Sequence, residues 1–130
     1  MKHKELSEAI IGAAMRVLNE LKPGLDEKVY ENALAVDLRE RNHQVEQQRA
    51  FPVHYHQVLV GRLVPDLIVD GKVVVDPKVV TVFTESHLAK MIGYLSITGL
   101  ELAILLNFKD YRLVWKRIIR SGLDTADPQE

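Results

Sequence analysis

Three side chains able to do chemistry interrupt the best strand-forming segment of the chain. "VPDLIVDGKVVVDPKVV" (residues 64–80) sets Asp66, Asp76 and Lys78 inside two apolar runs that flank Asp70-Gly71. Two neighbouring carboxylates repel, and burial makes each costlier to ionise. A divalent cation relieves both problems. Mg²⁺ in particular takes oxygen ligands in octahedral geometry and keeps several waters. Such a site activates water and neutralises charge building on a phosphoryl group. A lysine two residues beyond the second carboxylate would stand at its edge, to orient the water or to stabilise a pentavalent phosphate. The plain alternative is a solvated sheet face on which Asp66 and Asp76 pair with Lys72, Lys78 or Arg62.

The turn decides between these readings. Side chains alternate along a strand, so Asp76 and Lys78 share a face. A two-residue turn at Asp70-Gly71 pairs Val69 with Lys72 and sends Asp66 and Asp76 to opposite faces. A three-residue loop with left-handed Gly71 forms a bulge, pairs Ile68 with Lys72, and sets Asp66 diagonal to Asp76 on one face. A shared site predicts the bulged form, or a bulge elsewhere in the hairpin.

Other candidates are weaker. His54 and His56 stand at i, i+2 and would suit a transition metal, but no third ligand lies nearby in sequence, which favours a solvated strand. "KDYRLVWKRIIR" (109–120) holds five Lys or Arg with Tyr111 and Trp115 interleaved. Lys109, Arg112, Lys116 and Arg117 are therefore candidate nucleic-acid contacts. A charged edge strand is the alternative, and Leu113 and Trp115 would also suit a dimer interface.

The elements that position these residues follow from periodicity. Residues 6–22 place Ile10, Ile11, Ala14, Val17, Leu18 and Leu21 on one helical face. Pro23 stops that helix and Gly24 suits its C-terminal cap. Asp26 opens a second helix to about residue 42, buried through Tyr30, Ala33, Leu34 and Leu38. Residues 44–56 read as one strand kinked at Pro52, followed by strands 58–69 and 72–80. A third helix starts at Thr84 or Ser86 and ends at Gly99. Residues 100–108 read as a strand buried on both faces, and 111–119 as a last strand. The order is helix, helix, three strands, helix, strand, strand: a mixed sheet flanked by helices. We expect one domain over residues 1–120 and a mobile tail over 121–130.

Composition narrows the function. A net charge of −1 removes any overall positive field, so a nucleic-acid partner would need a local basic patch. The absence of cysteine excludes disulfides, thiolate zinc sites and thiol nucleophiles, and suits a reducing cytoplasm. We expect the N-terminal segment to form an amphipathic helix rather than a signal peptide, because Glu5, Glu8 and Arg16 break its apolar part, and no apolar run approaches a membrane span.

Pro65-Asp66 followed by Asp76-x-Lys78 resembles the PD-(D/E)xK nuclease signature. "GLDEKVY" carries Gly24, Glu27 and Tyr30 in the G-x-x-E-x-x-Y spacing of a small prokaryotic family placed in that superfamily, the GxxExxY proteins. The approach "ELKPGL" and the stretch from Tyr94 to Phe108 extend the resemblance over about residues 5–120. It implies a restriction-endonuclease-like α/β fold with an αβββαβ core. It also implies a hydrolase using Mg²⁺ or Mn²⁺ on DNA or RNA. Glu27, Asp66 and Asp76 would be the metal ligands. Lys78 would be the catalytic lysine, with Asp66 and Asp76 also in the catalytic set. Lys90 stands where the family usually has a glutamine, as a phosphate contact or as an ion-pair partner that fills the metal's place. Asp76 replaces the usual glutamate, and Pro77 lies between it and Lys78. The alternative is a degenerate member serving as a nucleic-acid-binding or assembly module, as a homodimer or with a partner protein.

Overall fold

The computed structural model describes residues 3–123. Two helices open the chain, α1 (Lys4–Leu21) and α2 (Glu27–Glu40). Seven strands and a third helix are followed by one further short strand: β1 (Val45–Gln47), β2 (Phe51–Tyr55), β3 (Val58–Leu63), β4 (Leu67–Val69), β5 (Val73–Lys78), α3 (Glu85–Thr98), β6 (Leu102–Asn107), β7 (Val114–Ile119) and β8 (Gly122–Leu123). The main sheet has the order β1-β4-β5-β6-β7-β8, while β2 and β3 form a separate ribbon. Among the described residues only β5 and β6 run parallel, with α3 as their crossover; the other pairings are antiparallel. This is the mixed α/β sheet flanked by helices that the sequence predicts. No described helix is long and apolar enough to cross a membrane.

The sheet is a middle layer because its central strands are apolar on both faces. Val73, Val75, Leu102, Ile104 and Leu106 pack against α1 and α2. Val74, Ala103 and Leu105 pack against Met91, Tyr94 and Leu95 of α3. The helical faces follow the expected spacing: Ile10, Ala14, Val17 and Leu18 on α1, and Tyr30, Leu34 and Leu38 on α2, are all buried.

Two expected strands are each divided. Residues 44–56 break not at Pro52 but after Gln47, because Gln48 takes a left-handed φ of 55°. Residues 58–69 break at Val64–Asp66, where Pro65 lacks a ladder donor. Between these breaks the β2–β3 ribbon leaves the main sheet. The helix α1 ends at Leu21, and Lys22, at a positive φ of 68° just before Pro23, rather than Gly24 is its C-cap. The first part of the expected tail, Gly122–Leu123, pairs with β7; residues 124–130 lie outside the described residues.

Candidate active site at the end of the central strands

The hairpin turn takes neither of the two registers expected. Asp70 and Gly71 are both left-handed, at φ 53° and 63°, and Lys72 N donates to Val69 O at 3.0 Å. Val69 then pairs with Val73, Ile68 with Val74 and Leu67 with Val75. Lys72 is thus the extra residue of a bulge. The shift runs opposite to the one expected and brings the carboxylates closer: one step further along the ladder, Asp66 stands across from Asp76. Asp66, Asp76 and Lys78 share the parity of Val74, which faces α3. They therefore lie on one face.

Asp76 is 2% exposed. Its Oδ1 lies 3.3 Å from Lys78 Nζ, but in an alignment that leaves Oδ1 without a hydrogen bond. Burial raises its pKa most, the shared hydrogen bond and charge of Asp66 raise it further, and the Lys78 charge opposes them. The net result is a rise from 3.8 to about 7. This is the frustration of two adjacent acids with too few donors. Two hard oxygen ligands, one with a buried unbonded oxygen, fit a divalent cation.

Pro77 leaves the strand intact. β5 stays in one-to-one register with β6 from Val73↔Leu102 to Lys78↔Asn107. The β4 ladder has ended at Leu67↔Val75, so β5 has an open edge beside Pro77. Proline is tolerated at such an edge because no ladder donor is needed there. The Asn107 side chain then clamps the chain beyond Lys78, donating to Val80 O at 2.8 Å and accepting from Val80 N at 3.2 Å.

Lys90 is exposed and lies 5.6 Å from the centre of the Tyr94 ring. Among the described residues, the ammonium within ion-pair distance of Asp76 is that of Lys78. Lys90 therefore does not occupy the space between the carboxylates. Burial lowers its pKa, but Tyr94 and the charges of Asp76 and Asp66 outweigh that and leave it raised. It is a charged group that feels the site without closing it. His87, on the same helical face, is committed to a capping box with Thr84, so Thr84 and not Ser86 starts α3.

The Gly24–Tyr30 motif has a local physical explanation. Tyr30 is fully buried and stacks on Phe108 at 4.7 Å. Its hydroxyl donates to Lys22 O at 2.6 Å and accepts from Leu25 N at 3.1 Å, tying down the turn in which Gly24 has φ 110°. The hydroxyl is thus spent on the α1–α2 turn. Glu27, at the start of α2, accepts from Val79 N at 3.2 Å and so reaches the end of β5. Among the described residues, no group of three or more His, Cys, Asp or Glu side chains converges to hold a metal. The structure brings Asp66 and Asp76 together, with Glu27 adjacent to Lys78 through the backbone of Val79.

The basic segment is divided by the sheet. Arg117 is 1% exposed and donates to Ser7 Oγ of α1. It is a core residue, which corrects its expected role as a nucleic-acid contact: strand parity turns it inward. Lys116 has the opposite parity and pairs with Leu105, which in turn pairs with Asp76. It thus shares the α3-facing side of the sheet with the carboxylates, two strands away. Lys109 and Arg112 are exposed in the β6–β7 connection. His56 sits in the β2–β3 turn, stacked on Tyr55, so it does not share a strand face with His54.

A family model described as the PD-(D/E)XK nuclease superfamily matches residues 4–118. The chain belongs to the PD-(D/E)XK nuclease superfamily. No curated protein and no solved structure matches it. Sequence reasoning missed two residues beside this superfamily's paired acids. Glu31 is a buried carboxylate on α2, and Gln48 donates from Nε2 to Asp66 Oδ1 at 3.0 Å. The available signal for Glu31 was its place between Tyr30 and Leu34 on the buried side of α2.

Proposed function

We propose that the protein is a metal-dependent nuclease of the GxxExxY type that hydrolyses phosphodiester bonds in DNA or RNA. The observation that carries this is the convergence of Asp66, Asp76 and Lys78 on one sheet face, in a chain of nuclease ancestry. Asp66 and Asp76 would hold Mg²⁺ or Mn²⁺, while Glu27 bonds the chain just beyond β5 at Val79 N. When bound, the ion supplies positive charge to the phosphate and acidifies water. Lys78 orients the attacking water and offsets charge developing on the phosphate. Lys90, exposed on α3, contacts a neighbouring phosphate. Lys109, Arg112 and Lys116 add backbone contacts.

Cleavage assays on single- and double-stranded DNA and RNA with Mn²⁺ test this. Cleavage by the wild type that is lost in Asp66→Ala, Asp76→Ala and Lys78→Met supports it. A wild type that binds nucleic acid but cleaves none of these substrates would point instead to a binding or assembly module.

A further inference from the structure

Glu31 and Asp76 are the two acidic residues buried among the described residues. A buried carboxylate needs donors, and Glu31 has three. Lys28 Nζ and Gln47 Nε2 each lie 3.0 Å from Oε2. Gln48 Nε2 lies 3.2 Å from Oε2 and 3.3 Å from Oε1. The same Gln48 nitrogen is 3.0 Å from Asp66 Oδ1. Ionised carboxylates only accept, so chemistry requires the amide nitrogen, not its oxygen, to face both acids. A primary amide has two N–H bonds, one for each carboxylate.

The backbone repeats the linkage. Gln48 N donates to Asp66 O at 3.0 Å, and Gln48 holds a φ of 55°, which residues other than glycine seldom adopt. Asp66 itself stands in the irregular stretch before β4, with no ladder partner to fix it. Its orientation therefore depends on what bonds its side chain.

We infer that Gln48, itself anchored by buried Glu31, is the positioning residue for Asp66, holding Asp66 Oδ1 so that its second oxygen is left to the site shared with Asp76. This rests on the reading of Asp66 and Asp76 as a cation site. Without the relay, Asp66 rotates toward solvent and the two acids no longer present their oxygens together. Gln48 is exposed as a residue, so its replacement opens no core cavity.

The test uses the full chain and Mn²⁺ calorimetry on wild type, Gln48→Asn, Gln48→Leu, Glu31→Gln and Asp66→Ala, each with a melting curve. Asparagine tolerates the left-handed backbone but is too short to span both acids. We expect the two Gln48 variants to bind Mn²⁺ roughly tenfold to hundredfold more weakly, as for groups that orient a metal ligand. Their melting temperatures should stay close to that of the wild type. Loss of binding in Asp66→Ala with full affinity in both Gln48 variants would overturn the relay and leave the cation site standing. A second readout does not need the metal. The Gln48 side-chain amide resonances of the metal-free protein should move in both Glu31→Gln and Asp66→Ala. If they are unchanged in Asp66→Ala, the relay is refuted even if the wild type binds no Mn²⁺, an outcome that would separately end the cation reading.

Discussion

Replacing Asp76 by asparagine should make the metal-free protein more stable at high pH. The folded chain raises the Asp76 pKa from 3.8 to about 7, through burial first and Asp66 second. Between those values the folded state keeps a proton that the unfolded state has lost. Stability then falls as pH rises, because the slope follows the protons bound by the unfolded minus the folded state. Each pKa unit is worth about 1.4 kcal/mol, so above neutrality the ionised Asp76 costs the fold about 4 kcal/mol. Asparagine has no such proton to lose, and its amide can still donate to Asp66. Urea unfolding in EDTA, run from about pH 5 to about pH 8.5, reads the difference. The Asp76→Asn advantage should be small at the acid end and grow to a few kcal/mol at the alkaline end. A difference that does not change with pH, or a variant less stable than wild type at the alkaline end, would refute the reasoning. Saturating Mn²⁺ should narrow the gap, adding about 2.7 kcal/mol to wild type at a hundred times Kd and nothing to the variant.

Other changes separate scaffold from site. Tyr30→Phe leaves Lys22 O and Leu25 N without their partner, and should lower unfolding free energy by about 1–3 kcal/mol in urea titration with Mn²⁺ affinity unchanged. Arg117→Ala should cost about 2–5 kcal/mol, the range for large-to-small core changes, visible in thermal unfolding rather than in nucleic-acid affinity. Lys109→Gln and Arg112→Gln should instead weaken nucleic-acid binding at low salt and each reduce the slope of log K against log salt by about one, while the melting temperature stays put.

The sequence carried the architecture because its periodicities are strong. The α1 and α2 faces, the doubly buried β6 and the crossover α3 all follow from where apolar residues recur. It was weaker wherever one backbone angle decides the outcome. Gln48 has no glycine or proline to announce its left-handed turn, so β1 and β2 read as one strand. The same limit hid the hairpin register: Asp-Gly is compatible with several loops, and the bulge at Lys72 is a matter of one residue. At the candidate site, the proximity of Asp66 to Asp76 was legible only as one of two alternatives. Arg117 was misplaced because a basic run says nothing about parity until the strand is paired. Glu31 escaped notice because acids on a helix are usually solvated, and two of its three donors, Gln47 and Gln48, lie a full element away.

The joint between Gln48 and Asp66 has a further consequence. Those two residues stand at the two roots of the β2–β3 ribbon, and two hydrogen bonds close the chain there before it leaves the main sheet. Everything from residue 49 to 65 is then an excursion from an already closed base. Closing a loop costs little more as it lengthens, so this excursion is the part of the chain most open to resizing. Beyond Leu63, which packs against the α3 side of the core, the ribbon can be shortened, lengthened or exchanged for another while β1 and β4 stay paired. In evolutionary and engineering terms it is a cassette: the reach of the molecule can be rewritten there without redrawing the chemistry beneath it.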